Sequence, residues 1–321
     1  MSVQQVHRTS CAVEVNAPAG VVYALIADTT KWPLLLPTSV HVERLDFDGR
    51  RDRFHTWVRA DGGGVRSWFS NRTLDAPGLR VDFRQEGPAA PVAELAGSWI
   101  VEPLGAGRSR LALFQEFTVA GGRAADAARV RQAAEAEGRA GLDALKAAAE
   151  RWPRFDGLLL SFEDSVRVNG PADLVYQFLY DVGDWQDRVP HVVRADVVET
   201  APGVQLLAMD SLTADGAVHT TESVRVCFPA AGRIVYKQTA TPALMAAHTG
   251  EWSLIPDETG VTAVSQHTVL LREEAVERIL GPGADLTTAR RHVREALGRN
   301  STATLGLAKR YAETAIRTLA A

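Results

Sequence analysis

Apolar and polar positions alternate with a period of two along most of the chain and change to a period near 3.6 in a few stretches. Successive side chains of a strand point to opposite faces, whereas a helix gathers positions three and four apart onto one face. The pattern therefore predicts strands over 9–15, 40–46, 53–60, 65–74, 79–85, 94–103 and 110–119. Asp48-Gly49, Asp61-Gly62-Gly63-Gly64 and Ala76-Pro77-Gly78 are turn sequences of the kind successive hairpins need. A helix is predicted over 19–27, where Asn16-Ala17-Pro18 supplies a capping residue and a first-turn proline. A longer one follows over 123–151, with Val130, Ala134, Leu142, Leu145, Ala149 and Trp152 as one apolar stripe. Trp32-Pro33-Leu34-Leu35-Leu36-Pro37 reads as an apolar loop, and 152–157 as a short linker.

The strand over 65–74 carries the densest chemistry. Arg66, Trp68, Ser70 and Arg72 share one of its faces, and Ser67, Phe69, Asn71 and Thr73 the other. Burying a charge without a partner is costly. If the arginine face looks inward it is a recognition surface, and the expected partner is a ligand oxygen.

Helix, strands and long helix occur twice in that order. A separation of 153 pairs Asn16 with Asn169, Pro18 with Pro171, Tyr23 with Tyr176, Trp32 with Trp185, Arg72 with Arg225, Gly97 with Gly250 and Trp99 with Trp252, which marks a duplication. The second copy has a helical piece over 272–280, a break at Gly281-Pro282-Gly283, and a final helix over 285–319. Leu297, Leu305, Ala308, Tyr311 and Ala315 fall on roughly one side of that helix. The expected architecture is α+β: two domains, 1–152 and 158–321, each a bent antiparallel sheet around a long C-terminal helix. On the face equivalent to the arginine row, the second copy has His219, Thr221, Ser223 and Arg225, keeping the arginine and serine but not the tryptophan.

Composition narrows the function classes. With 321 residues, 46% of them hydrophobic, the chain can bury a core in each of two domains. A formal charge of -4 and a pI near 6.1 leave no broad basic footprint, so nucleic acid is not an expected partner. The N-terminus lacks a charged segment followed by an apolar run, and no stretch reaches the roughly 20 apolar residues of a membrane span. A cytoplasmic protein is expected. Cys11 and Cys227 are expected to be buried free thiols. His191, His219, His248 and His267 all fall in the second copy, on separate strands and loops without short ligand spacing, so no metal site is expected. A histidine near pH 7 is nevertheless a competent general base. Nucleophile elbows, phosphate-binding glycine loops and dinucleotide fingerprints do not occur.

The first copy contains Asn16-Ala17-Pro18, Asp28-Thr29-Thr30-Lys31-Trp32-Pro33, Val40-His41-Val42-Glu43, Trp68-Phe69-Ser70-Asn71-Arg72-Thr73-Leu74-Asp75, Phe83-Arg84-Gln85-Glu86 and Gly97-Ser98-Trp99. In these segments it resembles the aromatase/cyclases of bacterial type II polyketide synthases, and the tandem copies make the chain similar to their di-domain subclass. The likeness spans nearly the whole chain and is looser in the second copy, where Thr221 replaces Trp68. It implies the helix-grip fold of the START and Bet v 1 type, with a cavity between the sheet and the long helix. It also implies cyclisation and aromatisation of the first ring of a poly-β-ketone on an acyl carrier protein, beside a minimal polyketide synthase, without metal or organic cofactor. By the same resemblance Arg72 is the cavity arginine, with Trp68 and Ser70 beside it and Trp32 and Trp99 as walls. Single-domain members also use a tyrosine in the loop after Trp-Pro and a polar residue on the long helix. Here 34–39 contains no tyrosine and 123–150 no asparagine, so those two groups are not carried over.

The chemistry suits such a site. Every methylene of a poly-β-ketone is flanked by carbonyls and enolises readily, so the task is to select which carbon attacks which carbonyl. Holding the chain in one orientation supplies roughly 7 to 11 kcal/mol in favourable cases. A guanidinium facing the developing enolate or alkoxide adds on the order of 2.7 to 4 kcal/mol per donor, the role expected of Arg72. Ser70 is expected to position a water, and Arg66 to hold the phosphopantetheine or a second carbonyl. Trp32, Trp68, Phe83 and Trp99 are flat walls for a planar ring, with Gln85, Glu94 and Gln115 as further polar contacts. Arg225, Ser223 and His219 are the corresponding groups of the second copy, which is expected to assist dehydration or to stabilise the first. Two other readings stand beside this one: a carrier of an apolar ligand in the same cavity, and a scaffold whose Arg50-Arg51 and Arg290-Arg291 meet an acidic carrier protein.

Overall fold

The computed structural model describes residues 5–60, 62–212 and 216–319; Asp61 of one expected turn and residues 1–4 of the N-terminal reading lie outside the described residues. Two compact units divide the chain, Met1–Phe155 and Asp156–Ala321.

In the first unit, β1 (His7–Val15) leads to α1 (Ala19–Ala27) and a one-turn helix α2 (Trp32–Leu35). β2 (Ser39–Phe47), β3 (Arg51–Arg59), β4 (Val65–Asp75), β5 (Arg80–Glu86), β6 (Val92–Gly105) and β7 (Arg108–Val119) follow, and then α3 (Ala124–Glu150). Among the described residues the strands form one antiparallel sheet in the order β1-β7-β6-β5-β4-β3-β2. Its consecutive hairpins follow from the glycine-rich turns, and β1 joins the far edge by pairing with β7. Leu142, Leu145 and Ala149 of α3 are buried, the stripe its 3.6 period predicts. Gly138 lets this helix lie close to the sheet, since a Cβ there would sit 3.0 Å from Cys11 Sγ and 3.4 Å from Leu113 Cδ2.

The second unit repeats the plan. After a short helix α4 (Phe155–Leu158) come β8 (Leu159–Val168), α5 (Ala172–Tyr180), α6 (Trp185–Arg188), β9 (Val192–Ala201), β10 (Val204–Leu212), β11 (Val218–Phe228), β12 (Arg233–Ala240), β13 (Met245–Asp257) and β14 (Gly260–Leu271). α7 (Val276–Leu280) and α8 (Leu286–Leu319) complete it, and the sheet order is β8-β14-β13-β12-β11-β10-β9. Each sheet thus holds a long terminal helix, as the duplication predicts.

One clasp fastens both helices. Lys146 Nζ donates to the Glu14 carbonyl oxygen at 2.6 Å and pairs with Glu150, whose Oε1 accepts the Asn16 amide N–H at 2.9 Å. Lys309 meets the Arg167 carbonyl and Glu313 in the same way, and Glu313 Oε1 accepts the Asn169 N–H at 2.9 Å. Lys309 follows Lys146 by 163 positions, ten more than separate Asn16 from Asn169. The extra residues are the five of α7 and the five of 281–285 ahead of α8.

Several local expectations change. Residues 32–35 form a helical turn because Pro33 in its first turn needs no amide bond. Pro18, not Asn16, is the N-cap of α1, and Asn16 is engaged by α3 instead. Cys227 is buried, but Cys11 is only partly so. Ala312 rather than Ala315 is fully buried on α8. No helix among the described residues is long and apolar enough to cross a membrane.

Candidate active site

β4 presents Arg72 to the concave side of the first sheet, and α1 ends directly against it. The guanidinium is buried, and the protein itself supplies its partners. Nε donates to Asp52 Oδ1 at 2.9 Å and Nη2 to Asp52 Oδ2, while Nη1 and Nη2 donate to the Ile26 and Ala27 carbonyl oxygens, both at 2.8 Å. Those carbonyls belong to the last turn of α1, where helix geometry leaves them without intrahelical donors. Arg72 therefore caps a helix and closes a buried ion pair, a correction to the expected ligand oxygen. β3 pairs with β4 so that Asp52 lies directly opposite Arg72. Trp32 belongs to the same brace: its Nε1 donates to the Leu25 carbonyl at 3.1 Å, and the guanidinium lies 5.8 Å from its ring and 5.1 Å from that of Phe54.

The second domain builds the brace again with one change. Arg225 donates to the Leu179 and Tyr180 carbonyls at the end of α5, and Trp185 Nε1 donates to the Phe178 carbonyl at 2.9 Å. Gln205 takes the place of Asp52, its Oε1 accepting from Arg225 Nη1 at 2.9 Å. Burial pushes the Arg225 pKa below the ordinary guanidinium value.

The other expected residues of the first domain, all but Glu94, spread along the same face. Ser70 is buried, with Phe54 opposite it on β3 and Gln85 on β5. Trp68 is half-buried, and Arg66 is half-exposed, its guanidinium 6.0 Å from the Trp68 ring. Arg66 Nη2 bonds Glu137 Oε1 on α3 at 2.7 Å, so it ties the sheet to the helix. Phe83 lies over Gly97, its Cζ 2.6 Å from where a Cβ would stand, which is why position 97 accepts only glycine without rearrangement. Trp99 opposes Val81 on one side and Leu113 on the other. Gln115 Oε1 lies 3.5 Å from the Thr9 hydroxyl, whereas Glu94 is exposed.

On the second domain's concave face, two apolar clusters flank a polar belt. One cluster includes Cys227, Ile234, Trp252 and Leu305, the other Leu160, Met245, Val269 and Val293. Between them, strand register aligns Arg225, Tyr236, Gly250, His267 and Phe162 in one row, with Ser223 and Gln238 in the next. Tyr236 Oη is 3.1 Å from His267 Nδ1, His248 Nε2 is 3.0 Å from that same nitrogen, and Ser265 Oγ is 3.2 Å from His267 Nε2. Burial lowers the His267 pKa to about 4 and holds His248 well below the usual imidazole value. Both rings are therefore neutral near pH 7. Tyr236 Oη packs over Gly250, where a Cβ would also lie 2.7 Å from the Gln266 carbonyl oxygen. His219 and Ser223 are half-buried on β11.

The same domain has an open cavity of about 810 Å³, lined by Asp164, His191, Leu212, Arg294, Asn300 and Leu307 among others. Asp164 opposes Ser265 across β8 and β14. It accepts two hydrogen bonds from Arg294 of α8, at 2.7 and 3.1 Å, and the Arg294 guanidinium stands 4.3 Å over the Phe162 ring that stacks on His267. Among the described residues no three His, Cys, Asp or Glu side chains gather as a metal-ligand set.

Sequence reasoning missed three parts of this arrangement. Asp52 and Gln205 carry no signal until β3 and β10 are aligned with their neighbours. His248 and His267, kept apart by their spacing along the chain, meet through the β13–β14 hairpin register. The asparagine sought on α3 occurs on α8, as Asn300 at the cavity. A search of both copies would have found the last.

Known proteins match the chain over nearly its whole length. The family described as polyketide cyclase / dehydrase and lipid transport matches residues 5–150 and 160–313. The granaticin polyketide synthase bifunctional cyclase/dehydratase of Streptomyces violaceoruber is 39% identical over 311 residues, covering 97% of this chain and 95% of that one. The actinorhodin polyketide synthase bifunctional cyclase/dehydratase of Streptomyces coelicolor is 39% identical over 309 residues, covering 93% and 95%. Among solved structures, the di-domain ARO/CYC BexL from the BE-7585A biosynthetic pathway superposes with a TM-score of 0.87 at 42% identity, covering 96% of this chain and 99% of that one. The di-domain ARO/CYC StfQ from the steffimycin pathway gives 0.83 at 35%, with the same coverage.

Proposed function

We propose a function that starts from one fact: the chain belongs to the polyketide cyclase / dehydrase and lipid transport family. It is a polyketide aromatase/cyclase, a tandem helix-grip enzyme of polyketide ring formation and dehydration. In our reading it receives a poly-β-ketone on an acyl carrier protein from a minimal polyketide synthase in the cytoplasm. It closes the first ring by a regiospecific aldol reaction and then removes water to aromatise it.

The observation that carries this reading is the duplicated polar row on a concave face gripped by a helix: Arg66, Trp68 and Ser70 in one domain, His219, Thr221 and Ser223 in the other. Trp68, Phe83 and Trp99 are walls against which an extended ketide folds, with Ser70 and Gln85 as polar contacts between them. Shape selects the reacting carbons, because enolisation itself needs little help. Arg72 and Arg225 act as positioning residues, since their donors are taken up by the protein; they hold the ends of α1 and α5, and with them Trp32 and Trp185, against the sheet. Arg66, with its guanidinium partly open to solvent, is the cation available to a substrate oxygen or a phosphopantetheine phosphate.

The test is reconstitution with a minimal synthase and its carrier protein. The full chain should convert a mixture of spontaneously cyclised products into one with a single ring-closure position and an aromatic first ring. An unchanged mixture, with the ketide bound and returned, would make the protein a carrier instead.

A further inference from the structure

The long helices α3 and α8 grip their sheets alike but present different charge on one face. The lysine–glutamate clasp aligns them, Lys309 and Glu313 of α8 with Lys146 and Glu150 of α3. On this alignment Gly298, Arg299, Asn300, Gly306 and Arg310 stand where α3 has Glu135, Ala136, Glu137, Asp143 and Ala147. All five of the α8 residues line the open cavity of the second domain. Because the two domains repeat one plan, each serves as a reference for the other: three acids in the first are absent from the second, and two alanines are arginines.

The charges around the cavity do not balance. Asp164 is the one carboxylate that lines it, and Arg294 holds that group with two hydrogen bonds. Gly298 makes room for the pair, since a Cβ there would stand 1.9 Å from Arg294 Nη1 and 3.0 Å from Asp164 Oδ2. Arg299 and Arg310 are exposed and make no hydrogen bond or ion pair among the described residues. Arg310 Nη1 lies 3.7 Å from where a Cβ of Gly306 would stand, so this guanidinium folds back along the helix over a residue of the cavity wall. The two arginines are separated by about 16 Å of helix axis, a spacing that suits carboxylates spread over a partner's surface better than one small anion. Pro190, Leu212 and Leu307 add apolar surface to the same opening.

We propose that an acyl carrier protein docks here, with its acidic surface against Arg299 and Arg310 and its prosthetic arm at the cavity. Complementary potentials steer such encounters and fix their orientation. The equivalent face of α3 has no cation to spare, because its Arg139 pairs with Glu135. Arg290, one of the arginines expected to meet a carrier, is bonded instead to the Gly157 and Leu159 carbonyl oxygens. The second domain therefore receives its substrate still tethered to the carrier. This inference rests on the chain acting on a carrier-bound ketide.

The experiment measures binding of the full chain to the acyl carrier protein of a minimal polyketide synthase, in its apo form and in its holo form with the phosphopantetheine arm. Wild-type protein should bind both, more weakly as salt rises. Arg299→Glu with Arg310→Glu should weaken both by about tenfold or more at low salt and flatten the salt dependence. Both positions are exposed, so the unfolding midpoint should stay at the wild-type value. Arg84→Glu with Arg278→Glu makes the same change in net charge at exposed arginines away from the cavity and should leave the affinity unaltered. Wild-type affinity in the first double variant, an equal loss in the second, or binding of the holo form alone would each overturn the proposal. Failure of the parent reading looks different. A chain that binds the carrier through Arg299 and Arg310 but leaves the synthase products unchanged keeps the docking surface and loses the cyclase function, whereas an active cyclase whose carrier affinity ignores both arginines loses the surface alone.

Discussion

Gln205 stands in the second domain where Asp52 stands in the first, each accepting a hydrogen bond from the buried arginine on the adjacent strand. One arginine is half of a buried ion pair, and the other is a buried cation held by an amide and two carbonyls. Both bonds are charge-assisted through the guanidinium, but only the carboxylate adds the attraction of an opposite charge. Gln205→Glu should therefore raise the unfolding free energy measured in urea by about 1 to 2 kcal/mol, and Asp52→Asn should lower it by about 3 kcal/mol by leaving a buried charge uncompensated. A lower midpoint for Gln205→Glu would show that burial outweighs the added pairing.

Arg72→Ala should cost about 3 to 5 kcal/mol of stability, because Asp52 and the α1 carbonyls lose their common donor. Arg225→Ala should cost less, since Gln205 is neutral. The double substitution Arg72→Met with Asp52→Leu should recover much of the loss, as apolar replacement of buried ion pairs commonly does, and product yield should recover with it. If stability returns while regiospecific product does not, Arg72 touches the substrate and is more than a positioning residue.

Arg66 and Glu137 form a half-exposed pair between β4 and α3, and such pairs contribute only about 0 to 1 kcal/mol. Arg66→Ala and Glu137→Ala should both leave the unfolding midpoint nearly unchanged. Turnover with carrier-bound substrate should fall in Arg66→Ala and persist in Glu137→Ala. Equal loss in the two variants would assign the effect to the helix–sheet tie and not to substrate contact.

Acid should weaken the second domain through its buried imidazoles. Burial lowers the His267 pKa from 6.5 to about 4, with Arg294 adding to the shift and Asp164 opposing it. His248 is lowered by burial and by His267. As pH falls below 6.5 the unfolded chain takes up protons that the folded rings refuse, so stability is complete above that value and is lost between there and about 4. His267 alone accounts for on the order of 3 kcal/mol over that window. Urea midpoints measured from about pH 7 to about pH 4.5 should fall in the wild type and fall less in His267→Gln. Identical pH slopes for the two proteins would exclude this ring as the source.

Period and turn chemistry are local properties, and so the strands, both long helices and the 153-residue repeat were legible before any coordinates. The face shared by Arg66, Trp68, Ser70 and Arg72 was equally legible, because alternation along a strand needs no knowledge of its neighbours. What that face meets was not. Asp52 is twenty positions from Arg72 and Ile26 forty-six, so the end of the guanidinium's search for a partner depends on how β3 aligns with β4 and where α1 stops. Likewise, His248 and His267 looked like scattered histidines until one hairpin register set their nitrogens 3.0 Å apart.

The sequence by itself determined the number of domains, the kind of element at nearly every position and the residue types on each inner face, because each of these follows from spacing along one segment. Tertiary structure alone decided which buried groups satisfy one another and which are left open. A hydrogen bond requires two groups within about 3 Å, and strand register together with helix placement, not distance along the chain, brings them there.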